Sequence, residues 1–146
     1  MTREEKSLLL QDLSARLPYK VMVCVDNDRK PLPLKGITFE EESKMFNTPS
    51  RYACEIGGGA YSHIYVKPYL RPMSSMTEEE NKQVKELCIL LWSDSNGKIG
   101  FDGFGNISGE DVLTAIDWLN AHHFDYRGLI AKGLALEAPE GMYTNN

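Results

Sequence analysis

Leu9, Leu10, Leu13 and Leu17 recur at three- and four-residue intervals near the start of the chain, the spacing that lays one apolar stripe along a helix. Thr2 and Glu5 stand at the distance of a capping box, in which a hydroxyl and a carboxylate satisfy the open N–H groups of the first turn. Pro18 supplies the stop, because it has no N–H to donate to the turn before it. A helix this short is marginal in water, so its stripe must pack against something else.

From Tyr19 the period shortens. "YKVMVCV" is rich in β-formers, and the "DNDRKPLP" after it reads as a polar turn leading into an edge or loop. "LKGITFEE" reads as a short second strand, and "RYACEIGGG" and "AYSHIYVKPYL" as two more. In the last of these, alternation sets Tyr61, His63, Tyr65 and Lys67 on one side and Ser62, Ile64 and Val66 on the other. The pattern predicts a sheet-rich subregion over 19–70, a small curled antiparallel sheet or partial barrel.

Pro68 and Pro72 stiffen the junction that follows, and Thr77 with Glu80 makes a second capping box. Through "NKQVKELCILLW", Val84, Leu87, Cys88 and Leu91 share a face that Ile89, Leu90 and Trp92 widen, which predicts a well-buried helix. "SDSNGKIGFDGFGN" then breaks the period, either as a hairpin turning at "NG" or as an ordered loop. A third helix starts near Ser108 and Asp111, with Ile107 stapled to Val112. Val112, Ile116 and Leu119 form its inner face, and Leu113 and Ala115 its margins. "YRGLIAKGLALEAP" adds a short helix or strand before the polar "EGMYTNN". The whole reads as a single α+β domain over 1–146: an N-terminal helix, the small sheet, two longer helices in a helical subregion 76–138, and a compact tail.

Composition agrees with a folded domain. An apolar fraction of 42% and a charged fraction of 25% over 146 residues belong to ordinary globular chains and not to disordered ones. No apolar run approaches the roughly 20 residues that cross a bilayer, and "MTREEKSLLLQDLSARLP" lacks the uninterrupted apolar core of a secretory signal. Cys24, Cys54 and Cys88 are odd in number and widely spaced, with no CxxC pair. They read as reduced thiols of a cytoplasmic protein that needs no membrane. A net charge of -5 without basic blocks argues against general nucleic-acid binding, which needs a concentrated basic surface.

Residue types suited to chemistry concentrate in "AHHFDYRGLI", residues 121–130. His122 and His123 point about 100° apart on a helix, so one metal cannot easily take both. The zinc pattern that spaces histidines four apart beside a glutamate is absent. The segment reads instead as a helix end and its turn, where imidazoles meet open carbonyls and the helix dipole. A local Asp125–Arg127 ion pair and an inserted Tyr126 fit the same reading. The alternative is a metal-dependent or acid–base hydrolase built on His122 or His123 with Asp125, Tyr126 and Arg127 nearby.

Other motifs fail on their spacing. Gly57 to Gly59 lack both the GK[ST] of a phosphate loop and the GxGxxG fingerprint, and read as a hairpin connection. "DSNGKIGFDG" places Lys98 at a calcium-ligand position and Ile99 where the loop needs glycine. There is no GxSxG elbow. No cysteine has a histidine nearby in sequence, so a thiol nucleophile lacks its base. No cofactor is implied. "HIYVKPYLRPMSSM" carries a different signal: Tyr65, Lys67, Tyr69 and Arg71 suit a partner-binding surface. With Tyr61 added, the same set could stack on bases and hold phosphates.

"KPYLRPMSSMTEEE" (67–80) and "DWLNAHHFDYRGLIAKGLALEAPEGMY" (117–143) resemble segments of an uncharacterised protein family of gut Bacteroides-type bacteria and their prophages or mobile elements. The resemblance implies a bacterial or phage source and intracellular expression, and it brings no enzyme activity to transfer onto the histidine segment. Mobile-element association implies a small accessory or regulatory binding protein. The expectation is therefore a noncatalytic binding protein with a protein partner or a second copy. The hydrolase and a nucleic-acid-binding regulator using Lys67 and Arg71 remain as alternatives.

Overall fold

The structure, a computed structural model, describes residues 1–26, 28–86, 90–93, 99–102 and 109–143. It is α+β, and the chain divides into two compact units, one of Met1–Tyr69 with Leu134–Leu136 and one of Leu70–Gly133 with Glu137–Asn146.

The first unit opens with α1 (Arg3–Arg16). Both bonds of its capping box form: Thr2 Oγ1 accepts from Glu5 N at 3.1 Å, and Thr2 N donates to Glu5 Oε2 at 2.7 Å. Leu9 and Leu13 are fully buried, as the stripe requires. So are Asp12 and Arg16, one turn apart and joined by a 2.9 Å ion pair. The helix ends two residues before Pro18, in a 3-10 turn over Leu17–Tyr19 closed by Lys20 at φ 57.

The sheet has the order β4-β3-β2-β1-β5-β8, built from β1 (Met22–Val25), β2 (Asp28–Glu40), β3 (Arg51–Ile56), β4 (Gly59–Ser62), β5 (Val66–Leu70) and β8 (Leu136–Glu137). Its two ends are distinct strands, so it is open and not a closed barrel. The stretch "DNDRKPLP", expected as a polar turn leading into an edge or loop, turns at Asp26 and enters β2 at Asp28. Asp28 pairs with Val25, and Asp26 takes the φ of 51 that tight hairpins favour. Residues 28–33 of β2 pair with β1, and residues 34–40 pair with β3 across an irregularity at Leu34/Gly36. Pro31 and Pro33 are tolerated because each half of β2 has only one of these neighbours, so an N–H need not be supplied on both sides.

β3 and β4 form the expected glycine hairpin, with Ile56 opposite Gly59 and Gly57 at φ 61. The single strand expected over "AYSHIYVKPYL" is two strands separated by a 3-10 turn at His63–Tyr65. β4 sits at the sheet edge while β5 pairs with β1. The chain must therefore leave one side of the sheet for the other, and the period-two alternation stops at the turn. His63 Nε2 lies 3.2 Å from the Lys6 carbonyl, which fixes the turn against α1. Leu9, Leu13, Val21, Val23, Leu34, Ile56 and Val66 fill this unit's core.

In the second unit, α2 (Glu78–Glu86) begins with the predicted capping box: Glu80 N donates to Thr77 Oγ1 at 3.2 Å and Thr77 N to Glu80 Oε1 at 3.1 Å. It does not run on through "CILLW". Residues 90–93 are β6 (Leu90–Ser93), antiparallel to β7 (Ile99–Asp102), with Ser93 opposite Ile99. A short apolar run fits helix and strand alike by periodicity, and pairing to β7 decides for strand. Leu87, Cys88, Ile89, the "NG" turn, Ile107 and Ser108 lie outside the described residues. α3 (Gly109–Ala121) buries Ala115, Leu119 and Asn120, so its inner face is centred one residue away from Val112 and Ile116. Leu119, Phe124 and Tyr126 form a core cluster against Met73, Met76, Ile116 and Trp118.

Candidate functional site

The histidine segment is the C-terminal cap of α3. Phe124 N reaches back to Leu119 O at 3.0 Å and His123 N to Asn120 O at 3.1 Å, with His123 in the left-handed region at φ 62. That pair of bonds is a Schellman motif, and the accompanying apolar contact joins Phe124 to Leu119. His123 holds the position that glycine usually takes, and its ring stacks on Tyr143 at 3.7 Å. His122 stacks on Trp118 at 4.0 Å, and its Nδ1 lies 2.8 Å from the Trp118 carbonyl. In the neutral form Nδ1 carries the proton there, because a carbonyl can only accept.

Asp125 works on the other side of the turn. Its Oδ1 accepts from Leu129 N at 2.8 Å and its Oδ2 from Ile130 N at 3.0 Å. Tyr126 donates to Asn120 Oδ1 at 2.9 Å, and Arg127 Nε donates to the Tyr126 hydroxyl at 3.2 Å. The geometry thus gives the side chains of His122, Asp125, Tyr126 and Arg127 local hydrogen bonds, and it stacks the His123 ring on Tyr143. Among the described residues, no three histidine, cysteine, aspartate or glutamate side chains come together as a metal could require. Asp125→Ala is expected to cost about 2 kcal/mol, since two backbone N–H groups lose a charged acceptor. Urea unfolding measures this, and Asp125→Asn should lose less because one amide oxygen can still accept.

The junction residues separate. Tyr65 is exposed and Lys67 half-buried, while Tyr69 is buried with its hydroxyl donating to the Arg29 carbonyl. Arg71 grips Glu80 with two 2.7 Å bonds, and its guanidinium lies 4.1 Å over the Phe124 ring. Burial alone would raise the Glu80 carboxyl, but the Arg71 hydrogen bonds, the Thr77 N–H and the Arg71 charge outweigh it and hold it at about 2. Arg71 is therefore already neutralised. Burial pushes the Cys54 thiol up to about 11 and also raises that of Cys24, so both buried thiols stay protonated.

A different surface emerges on β2, β3 and β4. Among the described residues, six of the eight exposed large apolar side chains fall between Phe39 and Tyr65, and Phe39, Tyr52 and Tyr61 of these share one sheet face. Phe39 stands directly opposite Tyr52 with ring centroids 5.1 Å apart. Cys54, on the same face as Tyr52, stands opposite Tyr61. The Tyr61 ring lies back over Gly59, where a Cβ would come within 2.9 Å of the tyrosine oxygen. Met45 and Phe46, in the β2–β3 connection, are the most exposed of all. The alternations Ile37/Phe39 and Tyr52/Cys54/Ile56 were the available signal, but they gain meaning only once the strands are in register.

Comparison with models of known families, with curated proteins and with solved structures finds no match to the chain.

Proposed function

We propose that the chain is a noncatalytic binding protein whose partner is another protein, docked on the aromatic face of β2, β3 and β4. The observation that carries this reading is the exposed Phe39–Tyr52 ring pair, with exposed Tyr61 on the same sheet face across buried Cys54. Exposed aromatics supply contact area at low entropic cost and dominate the energetics of protein interfaces. The histidine segment supports the noncatalytic part, because its polar groups serve the cap of α3. The likeness of residues 67–80 and 117–143 to a bacterial and prophage family fits a small accessory role. Two buried free thiols suit the reducing cytoplasm. No helix among the described residues is long and apolar enough to cross a membrane.

The test is a paired capture from the native cell with wild-type protein and the Phe39→Ser/Tyr52→Ser variant. Both positions are exposed, so the variant is expected to lose at most about 1 kcal/mol of stability. A partner retained by the wild type should disappear with the variant. An unchanged set of captured proteins, or turnover of any substrate by the purified wild type, would remove the reading.

A further inference from the structure

The aromatic face ends at an open strand. β4 is the last strand of its sheet, so its outward N–H and C=O groups have no strand partner among the described residues. Sheet edges are commonly protected by a lysine, a proline or an inward charge. Gly59, Ala60, Tyr61 and Ser62 include none of these.

The two sides of this edge ask for different chemistry. On one side stands Tyr61, continuous with the aromatic face. On the other, exposed Ala60 stands opposite exposed Glu55, whose carboxylate reaches toward Gly36 and makes no ion pair among the described residues. Adjacent strands lie about 4.8 Å apart. A lysine or arginine on a further strand lies two such spacings, about 9.6 Å, from Glu55, and only the alanine methyl stands between them.

Resting on the partner-binding reading above, we propose that β4 accepts an extended segment of the partner as an added strand. That segment is apolar where it meets Tyr61 and basic where it faces Ala60 and Glu55. Main-chain bonds to the open edge supply affinity, and the alternating side chains supply selection. The net charge of -5 favours approach of a basic segment. A second copy fits less well, since it brings the same net charge and no cation to Glu55.

The test titrates the full chain with a short capped peptide alternating isoleucine and arginine, read by amide hydrogen exchange. A peptide of the same composition, with its isoleucines and arginines in separate blocks, is the control. The alternating peptide should slow exchange at residues 59–62 and bind at least about tenfold more tightly than the control. Ala60→Arg places a cation directly across from Glu55 and should abolish that difference. Glu55→Gln should weaken binding without touching the edge. Equal binding of both peptides, protection elsewhere, or edge protection that grows with protein concentration alone would overturn strand addition. If the alternating peptide fails while Phe39→Ser/Tyr52→Ser still releases the captured partner, only strand addition falls. If the captured partner is also unaffected, the partner-binding reading falls with it.

Discussion

Replacing Asp12 by alanine is expected to cost about 3–5 kcal/mol of stability, the largest loss from any single side chain considered. Asp12 and Arg16 are both fully buried, and Arg16 Nε donates to Asp12 Oδ2 at 2.9 Å. Removing the carboxylate takes a charge-assisted bond from a guanidinium that water does not reach. Attraction within such a pair mainly offsets the cost of desolvating it, so the pair contributes little beyond a well-packed apolar equivalent. The double variant Asp12→Leu/Arg16→Met should therefore be more stable than Asp12→Ala, because it leaves no lone charge buried. Urea midpoints of the three proteins decide this. A double variant as unstable as Asp12→Ala would show that the two groups are needed for themselves and not for each other.

The Arg71–Glu80 pair is expected to give the second large effect, about 3 kcal/mol for Arg71→Ala. Glu80 supports two structures at once, the capping box of α2 and the clamp on Arg71. Its carboxyl falls from the ordinary 4.5 to about 2 on folding. The folded value is the lower one, so the stabilisation is complete above about pH 4.5 and drains away as pH falls toward 2. Acid unfolding of wild type and Arg71→Ala should diverge at neutral pH and converge toward pH 2. Arg71→Lys should recover part of the loss, because an ammonium cannot match the two-pronged bond. Parallel pH profiles for wild type and Arg71→Ala would refute this account.

What could be read in advance was what chain neighbours decide among themselves. The boxes at Thr2/Glu5 and Thr77/Glu80, the Leu9/Leu13 stripe and the hairpin at Gly57 each involve residues within four positions of one another. The misreadings lie where a distant partner decides. "DRKPLP" read as an edge or loop until β1 and β3 each took one half of β2. "LLW" spoke for helix until β7 paired with it. The burial of Asp12 and Arg16 left no mark in the sequence, because a polar pair one turn apart has the same spacing inside a core as outside it. The same divide separates the two candidate sites. The helix-cap use of "AHHFDYRGLI" follows from local geometry, whereas the aromatic face needs residues from three strands. Arg71 looked available in sequence because Glu80 is nine positions away and closes on it only through the turn at Met73–Ser75.

The sharing of β2 between two neighbours also orders events during folding. β1 to β4 follow one another in the chain and in the sheet, with Val25 paired to Asp28 and Ile56 to Gly59 at two of the hairpins. Such hairpins close on the microsecond scale at small loop-entropy cost. β5 differs, because Val23 must find Pro68 across the whole of that meander. A nascent chain can thus build β1 to β4 strand by strand, while insertion of β5 beside β1 is the long-range closure that completes the core.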